Sequence, residues 1–287
     1  MAVVNTNANA SIAQNALARN ERAMNTAMER LSTGNRINGA KDDAAGLAIS
    51  SRMTSQIRGL ETGIRNANDA ISMINTADGA LIEVTNMLQR MRELAIQASN
   101  GTTTEADRNY LNAEYANLLS EIDRIAENTQ WNGMNILNHK TTASSTFAYT
   151  VGANAGQTIA VDFGDLTNDA TSGVFTALTL SHASISAQTT ASAITTATSA
   201  VVAIDSAITA VNSQRATFGA AINQLTYAVD NLANVKVNAE ASRSRILDAD
   251  YARETAELAR TQIIQQAGTA MLAQANQLPQ TVLSLLQ

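Results

Sequence analysis

The sequence contains no cysteine and few aromatic residues, and both absences restrict what the chain can be. A chain of 287 residues without cysteine forms no disulfide, no thiol nucleophile and no cysteine metal site. Aromatic residues make up 3% of the chain, whereas apolar residues as a whole make up 45%. The core must therefore be built from Ala, Leu, Ile, Val and Met, a composition typical of the seams between packed helices.

Basic runs and long apolar runs are also missing. The net charge of −6 argues against a surface for nucleic acid or anionic lipid, so neither is expected as a partner. No apolar run approaches the ~20 residues of a membrane span, and we expect no membrane insertion. The first ten residues are rich in Asn and Ala and lack the charged and apolar parts of a signal peptide, which disfavours the general secretory route.

Candidate catalytic and metal-binding residues are sparse. The two histidines, His139 and His182, are far apart and have no carboxylate at ligand spacing. Asp42 and Asp43 are better explained as negative charges at the start of a helix than as an acid–base pair. The glycines of residues 34–39 lack the spacing and the lysine of a phosphate-binding loop, and no His-Glu-x-x-His motif occurs. We therefore predict no enzyme activity, no cofactor and no metal site.

The strongest positive signal is a helical seam in residues 201–232. Its apolar residues recur at alternating spacings of three and four, which indicates an α-helix packed along a partner helix. The residues of this predicted rod seam are Ile204, Ile208, Val211, Phe218, Ile222, Leu225 and Val229. Arg215 also occupies a seam position, where its charge either pairs with a carboxylate as a register device or reaches the rim on a snorkelling stem; the stem is favoured.

The partner of this seam must come from elsewhere in the same chain, because one such helix cannot bury its apolar stripe alone. Comparable stripes occur at residues 10–31 and 57–98, which indicates that the chain folds back and places its two ends side by side. Residues 57–98 alone would form a rod of roughly 60 Å at 1.5 Å per residue. The predicted fold is mainly α, an elongated antiparallel helical bundle or coiled coil formed by paired N- and C-terminal segments.

Turn and cap signals divide these helices. Residues 32–43 are rich in Gly and Asn and predict a connector, and Thr104 with Asp107 predicts a capping box at the start of a third helix. The polar residues 234–244 indicate a break between two rods. From residue 246 a helical pattern resumes to the end of the chain, with its apolar residues at Leu258, Ile264, Ala267, Met271, Ala275 and Leu278.

The middle of the chain has a different composition, dense in Ser and Thr. Alternating residues at 146–151 and 158–163 predict a β-hairpin, and residues 174–180 allow a third strand. We therefore predict three parts. Residues 1–42 and 246–287 form a terminal coiled-coil domain, residues 43–140 and 200–245 form a helical rod domain, and residues 141–199 form a small Ser/Thr-rich insert with the hairpin.

The chain ends carry apolar residues that a lone chain covers poorly. Large apolar residues at the C-terminus should fray unless they pack on the N-terminal segment or on another molecule. Both arrangements hold at once in a polymer. The predicted self-assembly residues are Leu17, Met24, Leu31, Met271, Leu278, Val282, Leu283, Leu285 and Leu286.

Four motifs in the terminal regions carry a resemblance to a known family. They are LSTGNRIN at residues 31–38, KDDAAGLAI at 41–49, RILDADY at 245–251 and QQAGTAMLAQANQLP at 265–279. With them the sequence resembles bacterial flagellin over residues 1–137 and 200–287, in a short form that lacks large outer domains.

This resemblance implies a structural subunit that polymerises with itself into the filament of the bacterial flagellum, an extracellular organelle of motility. It also implies secretion by the flagellar type III route, with the export apparatus, an export chaperone, the filament cap and hook-associated junction proteins as partners. The alternatives are a hook–filament junction protein and a coiled-coil adaptor that does not polymerise.

The resemblance further implies a site for a host receptor. The run QRMRELAIQ at residues 89–97 resembles the flagellin patch bound by a vertebrate Toll-like receptor, which implies contacts from Gln89, Arg90, Glu93, Leu94, Gln97 and Glu114. Because Met91 and Ala95 belong to the helical seam, we expect the other residues of the patch to point away from the seam and to be accessible, Leu94 included.

Overall fold

The computed structural model describes residues 7–138, 146–166 and 190–284, which are mainly helical. The elements in chain order are α1 (Ala8–Thr33), α2 (Ala44–Ser99), α3 (Glu105–Asn128), β1 (Gln130–Trp131), β2 (Met134–Asn135), β3 (Thr146–Thr150), β4 (Thr158–Asp162), α4 (Thr190–Leu247) and α5 (Tyr251–Ser284). The predicted fold, mainly α with paired terminal segments and a small hairpin insert, is confirmed.

The chain divides into two compact units. The first contains Met1–Ile57 and Val237–Gln287, and the second contains Arg58–Lys236. The described part of the insert belongs to the second unit. Both boundaries between the units fall inside continuous helices, α2 and α4.

In the first unit, α1 packs antiparallel along α5. The thin stripe predicted for α1 faces inward: its members are all buried or half-buried, namely Ala10, Ala13, Leu17, Asn20, Met24, Ala27 and Leu31. On α5 the buried or half-buried residues that keep spacings of three and four are Glu254, Leu258, Thr261, Gln265, Gly268, Leu272 and Ala275. The apolar residues Ile264, Ala267 and Met271 of the same helix lie outside this seam, because the side of α5 that meets α1 is largely polar or small.

Two connectors of the first unit bind each other through backbone hydrogen bonds. Gly34 ends α1 in the left-handed conformation at φ 71°, as a C-cap without a Cβ does readily. The N–H of Arg36 then donates to the carbonyl of Leu247 at 2.6 Å, and the N–H of Ala249 donates to the carbonyl of Gly34 at 2.9 Å. The connector predicted at 32–43 therefore pairs with the short segment between α4 and α5.

The carboxylates at these connectors cap helices or hold turns. Asp43 accepts a hydrogen bond from the N–H of Gly46 at 2.9 Å and so starts α2, as predicted. Asp42 instead accepts from the N–H groups of Asn38 and Gly39 within the connector. The break predicted at 234–244 is wrong, because α4 continues to Leu247. That stretch contains neither Gly nor Pro, so its polarity alone does not end the helix.

In the second unit, three ion pairs align α2 antiparallel to α4. They join Glu61 to Lys236 at 2.7 Å, Asp78 to Arg215 at 2.8 Å and Arg92 to Asp205 at 2.7 Å. The interpretation of Arg215 as a snorkelling stem is wrong, because its guanidinium donates to a carboxylate that itself occupies a seam position of α2. Between the pairs lies a continuous core of Ala, Leu, Ile, Val and Met from both helices.

The predicted hairpin is present as β3 and β4. They pair antiparallel with Thr146 opposite Asp162 and Thr150 opposite Thr158. Its loop packs on α2, where Cβ atoms added at Gly59 and Gly63 would lie 3.0 Å from Ala153 Cβ and 3.1 Å from backbone atoms of 151–152. These two glycines therefore form a notch on α2 that admits the loop backbone. The third strand suggested at 174–180 lies outside the described residues.

A second, shorter hairpin follows α3 and was not predicted as strands. Asn132 and Gly133 have φ of 48° and 78°, as the two central residues of a type I′ turn require. Trp131 on β1 is half-buried against the core of the second unit. The capping box at Thr104 and Asp107 is present as predicted, with both reciprocal hydrogen bonds.

One helical stretch, Ile194–Leu247, is long and apolar enough to cross a membrane by length and composition, with a mean hydropathy of 1.5 in its most apolar window. This was not expected from the sequence. Ile204, Val211 and Phe218 on this stretch are buried in the core shared with α2.

Candidate functional site

An apolar groove lies between α1 and α5 in the first unit. Its cavity volume is about 490 Å³, and its lining is mostly carbon. The large apolar residues along it are Ile12, Leu17, Ile264 and Met271. Ile12 is 66% exposed, Ile264 42% and Met271 67%, which is unusual for three large apolar side chains on one face of a helix pair.

The groove is closed at its base by a close approach of the two helices. A Cβ at Gly268 would lie 2.6 Å from Leu17 Cδ2, so glycine lets the side chain of Leu17 rest on the α5 backbone. The seam therefore uses a small residue at this point, and the larger apolar residues of α5 are displaced to the outer face.

Polar contacts fix the register of α1 on α5. Asn20 is buried and donates to the carbonyl of Thr261 at 2.8 Å and to Oε1 of Gln265 at 3.2 Å. Arg30 forms an ion pair of 3.1 Å with Glu254, which is 7% exposed. Such contacts specify one alignment of two helices but bury little apolar surface. These polar contacts therefore fix the alignment of α1 on α5 but contribute little to the stability of the helix pair.

The structure places the predicted self-assembly residues in different environments. Leu17, Met24 and Leu31 are half-buried on the α1 side of the seam, and Met271 is exposed in the groove. Sequence reasoning missed Ile12 and Ile264 as exposed groove residues, although an Ile outside the predicted stripe of α1 is a signal for Ile12. The remaining predicted self-assembly residues have side chains outside the described part of the structure, namely Leu278, Val282, Leu283, Leu285 and Leu286.

The predicted rod seam lies inside the core of the second unit. The buried members are Ile204, Val211, Phe218 and Leu225, and the half-buried members packed against them are Ile208, Ile222 and Val229. Other residues of the second unit therefore cover these side chains, fully or in part.

A charged patch on α2 and α3 contains most of the predicted receptor residues. Arg90 is exposed and donates to Glu114 on α3 at 2.9 Å and to Glu93 at 3.0 Å. The hydrogen bonds that Arg90 donates to Glu114 and to Glu93, followed by the charge of Glu114, raise the pKa of Arg90. Gln89 and Gln97 are exposed beside it.

Leu94 differs from its expected placement. It is 1% exposed and belongs to the core, so the expectation that it is accessible is wrong. The reason is that α2 faces two helices at this level, with Arg90 bound to Glu114 of α3 and Arg92 bound to Asp205 of α4. A helix with two neighbours buries a wider face than the single seam used for the prediction.

Metal chemistry has no candidate site in the ranges that the structure describes. These ranges contain no group of three or more His, Cys, Asp or Glu side chains placed to hold a metal ion. His139 and His182 lie outside the described residues.

Comparisons with known proteins agree along nearly the whole chain. The family model described as the bacterial flagellin N-terminal helical region matches residues 4–142, and the one described as the bacterial flagellin C-terminal helical region matches residues 201–286. The chain is 46% identical to a flagellin of Halalkalibacterium halodurans, over 91% of each chain. It is 36% identical to flagellin A of Vibrio cholerae, over 99% of each chain.

A crystal structure of Bacillus cereus flagellin is also similar, at 32% sequence identity and a TM-score of 0.48. The match covers 58% of this chain and 88% of that chain.

Proposed function

Because this chain belongs to the bacterial flagellin family and is a structural subunit of the flagellar filament, we propose that it polymerises through the groove face of α1 and α5. The observation that carries this proposal is the exposure of Ile12, Ile264 and Met271 on that face. Burial of each large apolar side chain contributes about 1.5–3 kcal/mol. Neighbouring copies that cover this face therefore gain free energy from apolar burial that a single chain cannot gain there.

Seeded growth of purified protein tests this assignment. Ile264→Gln keeps a good helix former but removes the apolar contact, and we expect it to raise the concentration at which fibres appear, measured by light scattering and electron microscopy. Met134→Gln changes a similarly exposed apolar residue outside the groove and serves as the matched control.

The outcomes separate the candidate functions. Long fibres from the wild type and the control, with weak growth of Ile264→Gln, support polymerisation through the groove. Fibres that grow equally well from all three proteins would refute the groove as the contact surface. Discrete oligomers from the wild type would favour the coiled-coil adaptor. Wild-type protein that binds the ends of the seeds and stops their elongation would favour the hook–filament junction protein.

We propose, second, that the exposed side chains around Arg90 form the surface for a flagellin-sensing Toll-like receptor of a vertebrate host. Support comes from the exposure of Gln89, Glu93, Gln97 and Glu114 and from the two carboxylates that hold the guanidinium in place. Leu94 would act from beneath this surface, by packing α2 into the core.

A reporter cell that expresses the receptor tests the patch. Arg90→Ala should lower activation severalfold without lowering thermal stability, since exposed ion pairs contribute little to folding. Arg124→Ala is the matched control, because Arg124 is also an exposed arginine paired with a glutamate three residues away on its helix, Glu121. Equal loss for the two variants would contradict the site. Leu94→Ala should lower activation and thermal stability together.

Export by the flagellar type III apparatus completes the proposed function, with a chaperone that holds the chain before export and a cap that folds it at the filament tip next to the hook-associated proteins. The thin, polar seam between α1 and α5 supports this route, because helices with little apolar surface are marginal alone and pass a narrow channel unfolded. We expect protease to cut residues 8–33 and 251–284 first in the monomer. The chain should be absent from the medium of a strain that lacks the export ATPase.

A further inference from the structure

We propose that the thioether of Met271 is a site of oxidation by hydrogen peroxide and that its sulfoxide stops filament growth, an effect that rests on the proposed polymerisation through the groove face. Met271 is the most exposed methionine among the described residues, at 67%. Met73 and Met91 are in the core of the second unit at 2% and 0% and are shielded from peroxide. Solvent exposure therefore determines which methionine thioethers react with peroxide.

The reaction is an oxygen transfer. A lone pair of the Met271 sulfur attacks one oxygen of hydrogen peroxide, the O–O bond breaks, and the other oxygen leaves with both hydrogens as water. The sulfur loses two electrons to the peroxide and becomes a sulfoxide. The side chain keeps its length but changes from an apolar group to a polar one with a strong hydrogen-bond acceptor.

Because Met271 lies in the groove face, its oxidation to the sulfoxide should stop filament growth. Its neighbours in the groove are mainly carbon atoms, from Ile12, Ile264 and Leu17, with Asn9 and Gln274 as the polar residues of the lining. In the monomer the sulfoxide oxygen faces water. When a neighbouring copy covers the groove face, that oxygen loses water against apolar surface, which disfavours the contact. We expect about a tenfold rise in the concentration needed for fibres.

Partly oxidised wild-type protein gives a test that needs no variant. Monomer is treated with peroxide until about half of the Met271 is sulfoxide, fibres are grown, and pellet and supernatant are compared by peptide mass spectrometry. Met271 sulfoxide should be depleted in the pellet several-fold. Met134 sulfoxide, formed at an exposed residue outside the groove, should divide evenly and serves as the internal control. An even division of Met271 sulfoxide would overturn the proposal.

Variants test the same site by substitution. Met271→Leu keeps an apolar side chain and removes the sulfur, so its fibre growth should survive peroxide. Wild type and Met134→Leu should lose growth and regain it after treatment with methionine sulfoxide reductases and dithiothreitol. Equal loss in Met271→Leu would place the effect elsewhere. If untreated wild type forms no fibres, the proposed polymerisation fails; if fibres form and peroxide leaves growth unchanged, the oxidation proposal alone fails.

Discussion

Replacing Phe163 with Ala should loosen the hairpin insert from the helices of the second unit. Phe163 follows β4 and is fully buried. Its ring lies 5.2 Å from that of Phe147 on β3, edge to face at 82°, and 5.1 Å from that of Phe218 in the seam of α4. The ring of Phe163 is therefore the apolar link between the hairpin and α4.

The size of the effect follows from this burial. Loss of a fully buried Phe costs about 3–5 kcal/mol, and this figure already includes most of the lost contact with the two neighbouring rings. We therefore expect a loss of about 4 kcal/mol in the free energy of unfolding for Phe163→Ala. Phe163→Leu keeps most of the apolar volume and should lose about 1.5 kcal/mol.

Urea unfolding followed by circular dichroism measures the free energy, and hydrogen exchange of the β3 and β4 amides reports whether the hairpin opens locally. Tyr110→Ala is the control, because Tyr110 is highly exposed and should change stability by less than about 0.5 kcal/mol. A loss below about 1 kcal/mol for Phe163→Ala, with unchanged amide exchange, would refute the reasoning. It would mean that hydrogen bonds such as that from Asn66 to the carbonyl of Thr150 hold the insert without the rings.

Three further predictions concern the same unit. A double-mutant cycle of Asp78→Ala and Arg215→Ala should give a coupling of about 1 kcal/mol in urea unfolding, more than an exposed pair gives, because both side chains are about two-thirds buried. Burial raises the pKa of Tyr115 to about 12, whereas an unfolded tyrosine ionises near ~10. The folded state then holds its proton longer, so stability is full below pH ~10 and falls as pH rises towards 12; Tyr115→Phe should reduce this fall in unfolding experiments at alkaline pH. Gly133→Ala should cost about 1–2 kcal/mol because Gly133 has φ of 78°, whereas Gly101→Ala, at a glycine with open space and no positive φ, should be close to neutral by thermal unfolding.

Local periodicity was enough to predict most of the helical architecture. The seam of residues 201–232, its partner on α2 and the stripe of α1 all follow from spacings of three and four, and their residues are buried or half-buried. The hairpin at 146–162 follows from alternation with period two. These signals succeed because each depends on which face of one element is apolar, which the sequence states directly.

The parts that could not be predicted depend on what lies across from a residue. Gly268 takes the place of a larger apolar residue in the seam of α5 because Leu17 rests on its backbone, so the apolar residues of α5 do not by themselves mark the packed face. Leu94 is buried because α3 and α4 both border α2 at that level. The end of α4 at Leu247 is set by a backbone pairing with Gly34 and Arg36, more than two hundred residues earlier in the chain. Composition within a window contains none of this information.

The pairing of α1 with α5 makes the folding of α1 depend on residues more than two hundred positions later in the chain. On α1, Asn20 bonds Thr261 and Gln265, and Arg30 pairs with Glu254, all three of which lie on α5. A product cut short by a premature stop codon before this helix would keep the second unit but leave the seam of α1 uncovered. Such a product should be a target for cellular proteases, because α1 would lack the helix that covers its seam.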